Sequence, residues 1–493
     1  MTAQQPDTWD VVVIGGGPVG ENAADYAVQG GLTAVIVEAE LLGGECSYWA
    51  CMPSKALLRP VEVANLTRGL DGVVATGVDV AGVLKRRDGF VHDHDDASQV
   101  EWATGAGIDL VRGRGRLSGE RTVVVTDPSG EERTLHARHA VVLATGSTPT
   151  IPPVDGLADA RPWTSRDVTN LHEVPRRVLV VGGGVVATES ATWLTGLGCE
   201  SVTLLERGPA LLAKNEPFAG DLVREALQAR GVDVRLGATL ERVQSGPVRR
   251  EDEGFPRGRE VTATIDGETL VVDEVVVAAG RTPNTHDVGL EVVGLDAGPA
   301  PEVDDHMTVT GVAGAWLYAV GDVNGRVLLT HQGKYQARVC GDVIVARAAG
   351  RPLDAERFTA LADHGAVPQV AFSDPPVSSV GVTEQEARDA GADVLAVEVD
   401  IAAVAGAALI RDDYVGRAKL VIDATTRLVL GVTFVGTETP ELLHSATVAV
   451  VGQVPVERLW HAVPSYPTVS EVWLRLLEAL RAAERSAPAG TGA

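Results

Sequence analysis

The sequence predicts an α/β chain in which one strand–turn–helix–strand unit occurs twice, followed by an α+β module with a core of its own. Three observations predict it. A hydrophobic run ending in a glycine triplet appears at two places, three further apolar runs end on glycine, and past about Phe358 the pattern changes to alternating strands followed by two helical stretches. The 493 residues also exceed one ordinary domain, since a prior of roughly 150 residues per domain gives about three.

The first unit is "WDVVVIGGGPVG", ending in Gly15, Gly17 and Gly20, then a helical stretch, the strand "TAVIVEAE" and an acid at Glu38. "RRVLVVGGGVVATES" repeats it at Gly182, Gly184 and Ala187, with Glu206 closing "SVTLLE". The glycines permit the tight turn and the close approach of a pyrophosphate. The helix N-terminus offers unbonded N–H groups, and the acid accepts from a ribose hydroxyl. Two copies in full context predict two Rossmann-like nucleotide-binding domains. The other glycine-ended runs are "AVVLATGS" with Thr145 and Gly146, "EVVVAAGRTPN" with Gly280 and Arg281, and "LYAVGDV" with Gly321 and Asp322. Such strand ends are where ligands sit in open α/β sheets. In the last module "VPQVAFSDPPVSSVGVTE", "YVGRAKLVID" and "LVLGVTFVG" read as strands, and "ELLHSATVAVVGQ" and "SEVWLRLLEALRAAE" as helices. Residues 245–259 read as an exposed loop, and the tail "RSAPAGTGA" as disordered.

With 45% apolar and 22% charged residues the chain is globular. Its formal charge of −25 opposes nucleic acid, whose phosphates it repels. No stretch is long and apolar enough for a membrane span, and the N-terminal "MTAQQPDTWD" lacks the features of a secretory signal, so a cytoplasmic protein is expected. Four cysteines in so long a chain form no disulfide framework. In a reducing compartment a disulfide is catalytic rather than architectural.

"GGECSYWACMPSK", Gly43 to Lys55, holds Cys46 and Cys51. Two cysteines without further ligands do not make a tetrahedral zinc site, and no metal site is expected. A redox pair and two buried thiols remain. Residues five apart on a regular helix point about 140° away from each other, so a bond needs an irregular turn. Pro53, which lacks an N–H and clashes with the preceding turn, supplies a cause, and Gly43 and Gly44 loosen the start. A thiolate near a helix N-terminus is stabilised by the dipole. Cys199 and Cys340 read as core residues.

From about Asp10 to Glu478, the two fingerprints, the C-x4-C segment, Thr310 followed by "LYAVGD", and the C-terminal module together resemble the pyridine nucleotide-disulfide oxidoreductases, the flavoprotein family of dihydrolipoamide dehydrogenase and mercuric reductase. The resemblance implies FAD on the first fingerprint with Glu38, NAD(P)H on the second, and Asp322 on the flavin's ribityl chain. Gly44, Thr145, Gly146, Gly280, Arg281 and Gly321 join the cofactor-binding set. It implies FAD-binding residues 1–155 and 281–355, an NAD(P)-binding domain at 156–280, a dimerisation domain at 356–481 and a tail at 482–493. It also implies a homodimer whose active site is shared between subunits. Cys46 becomes the outer thiol that meets substrate, Cys51 the inner one that meets the flavin, and Lys55 with Glu189 an ion pair beside the ring. Glu206 is expected to repel a 2′-phosphate and favour NADH, with Arg207 pulling the other way.

The chain departs from the family in "SYPTVSEVW", where Tyr466 takes the place of the catalytic histidine while Pro467, Thr468 and Glu471 are kept. A histidine with a pKa near 6.5 takes a proton from a thiol at pH 7, whereas a phenol near 10 is ionised to only about one part in a thousand. Losing a general base costs about 10²–10⁴ in rate. His461 is a poor substitute, because five residues of extended chain separate it from Tyr466 by roughly 16 Å. Mercuric reductase resembles this segment in having a tyrosine there, but it also uses a C-terminal cysteine pair that this tail lacks. Tyr48 and Trp49 stand where the family has smaller residues, and either stack a flat acceptor or pack in the core. The expected reaction carries electrons from NAD(P)H through FAD and the Cys46–Cys51 disulfide to an acceptor that needs little proton abstraction: a quinone, a metal ion or an activated disulfide. The alternatives are a quinone or diaphorase-type reductase working from the flavin, and a non-catalytic flavin-bearing sensing or structural subunit.

Overall fold

The computed structural model describes residues 7–75 and 77–486. The chain forms two compact units, each assembled from three stretches: Met1–Pro53, Arg86–Thr150 and Gly280–His364 in one, Ser54–Lys85, Ile151–Ala279 and Gly365–Ala493 in the other.

In the first unit the strand Thr8–Ile14 lies between Ala34–Glu38 and Glu132–Leu143, parallel to both, and Ile108–Arg112 pairs parallel to Ala34–Glu38. Val11 to Ile14 match Ala34 to Val37 residue for residue. All four residues of Val11–Ile14 are buried, as expected for a parallel sheet covered on both faces, which reads as an unbroken apolar run instead of an alternating one. The antiparallel strands Thr122–Thr126 and Arg114–Gly119 extend the sheet, and Leu317–Ala319 pairs parallel with the end of Glu132–Leu143. The helices Pro18–Gln29 and Thr330–Ala348 pack along each other.

The second unit contains the other fingerprint on a four-stranded parallel sheet, in the order Asp233–Leu236, Ser201–Glu206, Arg177–Val181, Glu274–Val277. A three-stranded antiparallel sheet, Leu240–Ser245, Val261–Ile265 and Glu268–Val272, follows it. The C-terminal module is a five-stranded antiparallel sheet, ordered Gln369–Ala371, Val377–Gly381, Val429–Val435, Arg417–Asp423, Val394–Asp400. Helices Thr439–Val451 and Val472–Ser486 pack on that sheet and close its core around Phe434, Trp473 and Leu476. The two Rossmann-like sheets and the C-terminal α+β module are the predicted fold class.

The loop at 245–259 is exposed only in part. Gly254, Arg257 and Arg259 are buried. The Arg257 guanidinium donates to Asp167 Oδ1 at 2.9 Å, and that of Arg259 donates to the Ala160 carbonyl. Beside them Glu274, fully buried, accepts from the Arg257 backbone N–H, and burial raises its carboxyl to about 7. Polar composition signals exposure only when the polar groups find no partners inside; here Arg257, Arg259 and Glu274 each find at least one, while Arg257 Nε, Arg259 Nε and Nη1 and Glu274 Oε2 are buried without one. The last helix runs to Ser486, and the remainder of the tail expected to be disordered lies outside the described residues. Among the described residues no helix is long and apolar enough to cross a membrane.

Candidate active site

The two nucleotide cradles are built alike. After Thr8–Ile14 the chain turns at Gly15, whose φ of 103° excludes a side chain and whose Cβ would run into the Ala144 carbonyl. Gly182 repeats this with φ 123° against the Ala278 carbonyl. Gly17 and Gly184 then cap the helices Pro18–Gln29 and Val185–Gly196. A Cβ on Gly17 would meet only Gly44 Cα, at 4.0 Å, and one on Gly184 would meet nothing within 4 Å. That open space in front of unbonded helix N–H groups is what a pyrophosphate requires. Gly20 allows its helix to pass close to the Gly15 carbonyl, and the buried Ala187 fills the corresponding place in the second copy.

The acids stand at the strand ends as the spacing predicts. Glu38 accepts from Gly16 N–H at 2.6 Å and from Glu40 N–H at 2.7 Å, and burial raises its carboxyl above the usual range. Glu206 accepts from Gly208 N–H at 2.5 Å. The residues present therefore fit two dinucleotides, with space for the phosphates and an acid placed for each ribose. Gly184→Val is expected to fill the second space and weaken NAD(P)H binding at least about 100-fold while bound flavin and melting temperature stay unchanged, which titration of the reduced nicotinamide nucleotide against the flavin spectrum measures.

Further along the first unit, Thr145 Oγ1 donates to the Asn284 carbonyl at 2.7 Å, and Asn284 Nδ2 donates to the Thr145 carbonyl at 2.9 Å. This closes the loops that hold Gly146 and Gly280, both at positive φ. Arg281 donates to Ser147 Oγ at 2.7 Å and to its carbonyl at 2.6 Å, and lies 3.5 Å from Glu45. Ser147 Oγ in turn donates to Asp322 Oδ2 at 2.6 Å. Gly321 N–H donates to Gln336. Asp322, Arg281 and the acid next to Cys46 thus belong to one network.

The cysteine segment begins at Gly43, φ 108°, and forms the short helix Gly44–Tyr48. Trp49 leaves helical geometry at φ −131°, ψ 0°, and a new helix, Cys51–Arg68, starts two residues later. Pro53 explains the break. A continuous helix would ask it to donate to the Trp49 carbonyl, which it cannot do, and would drive its ring into that carbonyl. The kink brings the thiols together. Cys46 and Cys51 are half-buried thiols hydrogen-bonded to each other, and the Cys51 backbone N–H points at the Cys46 sulfur. Thr330, first residue of its helix, bonds Cys46 and places Oγ1 3.4 Å from Cys51 Sγ. The bond to Cys51 pushes the Cys46 thiol up, burial adds to this, and Thr330 opposes it. Two thiols so close behave as one titrating unit, in which the first proton leaves far more easily than the second.

Sequence reasoning missed Thr330, which lies 279 residues from Cys51 and carries no local signal beyond a polar helix start. In the second unit, Lys55 Nζ lies 2.8 Å and 3.1 Å from the Glu189 oxygens. Glu189 is buried and also accepts from Phe372 N–H at 2.9 Å, while Lys55 sits 4.8 Å from the Phe372 ring centre. Such a pair is not a loose surface contact.

Tyr48 and Trp49 are both buried, edge to face at 5.7 Å, with Leu41, Val91 and the His94 ring around them, and Tyr48 Oη donates to the Leu42 carbonyl at 3.0 Å. Their surface is used in packing, which leaves no free face for a flat acceptor. Tyr466 is 76% exposed, and Glu471 is buried with Oε2 unpartnered. His461 is exposed. Cys340 is a core residue as expected. Cys199 is only half-buried, because it sits in a turn where its thiol donates to the Arg176 and Ser201 carbonyls, and burial raises it to about 11. Among the described residues no group of three or more His, Cys, Asp or Glu is arranged to hold a metal ion.

Residues 9–337 match the family model of the pyridine nucleotide-disulphide oxidoreductases, and residues 367–477 match that family's dimerisation domain. The chain belongs to the pyridine nucleotide-disulphide oxidoreductases. This family is FAD- and NAD(P)H-dependent. The chain is 31% identical to the mercuric reductase of Lysinibacillus sphaericus over 475 residues, covering 94% of this chain and 81% of that protein. It is 32% identical to the dihydrolipoyl dehydrogenase of Chlorobaculum tepidum over 480 residues, covering 95% and 97%. Among solved structures, the Cu(II) complex of the HOCl-induced flavoprotein disulfide reductase RclA from Escherichia coli shares the fold, with a TM-score of 0.81 at 24% identity over 96% of this chain and 99% of that one.

Proposed function

We propose that this oxidoreductase takes electrons from NAD(P)H, NADH by preference, and delivers them through the Cys46–Cys51 pair to a small acceptor. It works as a homodimer in which the partner supplies Tyr466 and Glu471. The observation that carries the reading is the thiol pair itself, brought together by the break at Trp49–Ala50 and hydrogen-bonded by one hydroxyl, Thr330. The first fingerprint, Gly146, Arg281 and Asp322 would hold FAD, which when bound accepts a hydride equivalent from NAD(P)H and releases an electron pair to a disulfide. The chain's own residues supply the rest. Glu206 stands where a 2′-phosphate would bring a second negative charge, Lys55 is paired with Glu189 at 2.8 Å, and the Cys51 N–H and Thr330 favour sulfur as thiolate.

The domain assignment follows the same reading: FAD on 1–155 and 281–355, NAD(P)H on 156–280, dimerisation through 356–481. The acceptor is chosen by what the C-terminal segment lacks. With an exposed tyrosine in place of histidine and Glu471 without a hydrogen-bond partner at Oε2, no acid–base pair is assembled to strip a proton from an incoming dithiol. A metal ion, a quinone or an activated disulfide fits. Likeness to a mercuric reductase favours a soft metal ion among these. The test is an anaerobic NADH titration followed by visible spectroscopy. A long-wavelength band after two electrons, with four taken up in total, supports the reading; direct bleaching with only two taken up overturns it. Unchanged quinone turnover in Cys46→Ser would shift the activity to the flavin alone.

A further inference from the structure

Thr330 bonds both thiols, yet the helix it begins, Thr330–Ala348, has nothing of its own to fix its start. Leu329 stands at the N-cap, and its side chain offers no oxygen to the unbonded N–H groups of the first turn. Such a turn is held by contacts from elsewhere in the fold. A buried carboxylate provides them. Asp363, at the end of the short turn Leu361–Asp363, has a side chain only 2% exposed. Its Oδ1 accepts from Gln332 Nε2 at 2.7 Å, and its Oδ2 accepts from Gln336 Nε2 at 2.9 Å. The two glutamines are buried and, four residues apart, share one face of the helix. Gln332 sits in the first turn, where the helix dipole also favours a negative charge.

The anchor is itself held from the turn that follows Leu317–Ala319. Gln336 Oε1 accepts from Gly321 N–H at 2.8 Å and from Asn324 Nδ2 at 2.9 Å. Two donors on one side and a carboxylate on the other leave a single orientation for the Gln336 amide. Arg326 Nη1 lies 3.4 Å from Asp363 Oδ2 and 3.1 Å from Asp305 Oδ1, and His364 Nε2 lies 2.8 Å from Asp305 Oδ1. A Cβ on Gly333 would lie 3.1 Å from Gly321 Cα, so the first turn of the helix also rests directly on this segment. Gln332 is two residues beyond Thr330, and a helix advances about 1.5 Å per residue. What grips Gln332 therefore fixes where the Thr330 hydroxyl stands. The side-chain hydrogen bonds that act on the Cys46 thiol come from Cys51 and Thr330, and Asp363 reaches it through Thr330.

We propose that Asp363 is a positioning residue for the thiol pair: by gripping Gln332 and Gln336 it anchors the start of Thr330–Ala348 and holds the Thr330 hydroxyl against Cys46 and Cys51. This rests on the proposed function only in taking the pair as the redox centre. A fixed hydroxyl that donates to a sulfur anion favours the anion. Without the carboxylate the first turn frays, and the thiolate forms at higher pH.

The test uses the full-chain holoprotein, reduced with dithiothreitol, freed of excess reductant, and alkylated with iodoacetamide between pH 6 and 9, the labelled peptides of Cys46 and Cys51 being read by mass. A hydrogen bond to a charged group is worth about one to two pKa units, and loosening it forfeits part of that. Asp363→Asn, which keeps the shape but accepts at one oxygen only, is expected to alkylate about three- to tenfold more slowly at pH 7 and to recover towards pH 9. Thr330→Val is expected to do the same, by as much or more. In the Thr330→Val background Asp363→Asn should change nothing further, because the hydroxyl it places is gone. An Asp363→Asn profile that overlays wild type, or a shift that persists undiminished beside Thr330→Val, would overturn the proposal. If Asp363→Asn does not fold, Gln332→Leu decides. It removes the first-turn bond and leaves Asp363 to Gln336 and Arg326, so the profile should move in the same direction, and an unmoved profile is the contrary result. Because the reductant is chemical, an enzyme that fails the NADH titration can still pass here, and the two failures are distinct.

Discussion

Cys51→Ala is expected to lower NADH-driven turnover of a metal or disulfide acceptor by about 10³-fold or more, because under the proposed function the electron pair is stored in a Cys46–Cys51 bond that one sulfur cannot form. Two companion readouts separate this from misfolding. The flavin content and melting temperature should match wild type, since Cys51 is half-buried at a helix start and contributes little packing. The remaining thiol should also change. The largest influence raising Cys46 is its bond to Cys51, and with that bond gone burial is left opposed by the Thr330 contact. Cys46 is therefore expected to alkylate faster at pH 7 in the variant than in reduced wild type. Turnover within tenfold of wild type would show that electrons leave without the pair.

Glu21→Gln is expected to raise thermal stability at pH 8 and to leave it unchanged at pH 4.5 and below. The folded protein holds this carboxyl at about 7, against 4.5 for an unburied one. A raised acid prefers its neutral form in the fold, so wild-type stability falls as pH rises from about 4.5 to about 7, and the full penalty is present above that. At 1.36 kcal/mol per pKa unit the penalty is on the order of 3 kcal/mol. Glutamine keeps the shape and removes the titration, so the difference in melting temperature between variant and wild type should open across that window and then level off. A constant difference at every pH would mean that Glu21 does not titrate there.

Much of the site was legible because its chemistry is local in the chain. Gly15, Gly17 and Glu38, and again Gly182, Gly184 and Glu206, lie within some two dozen residues of one another, and a strand–turn–helix leaves few other ways to arrange them. The break between Gly44–Tyr48 and Cys51–Arg68 was readable from Pro53 for the same reason. The Lys55–Glu189 pair was reached only through family likeness, since nothing local in either segment points to the other. What could not be read was who stands beside whom after the chain returns. Thr330 reaches the thiols because its helix starts next to them, and the buried part of 245–259 is inside because Asp167 and Glu274 wait there. Tyr48 and Trp49 offered two readings until Val91 and His94 were seen to cover them.

By itself the sequence determined the two nucleotide folds, the kinked cysteine segment and the missing histidine, because backbone conformation and hydrogen-bond capacity are properties of short stretches. Only the tertiary structure decided how acidic each group is. Burial and opposing charge come from distant segments, as Glu38 and Lys334 do for Glu21, and a residue's own neighbours in sequence carry no record of them.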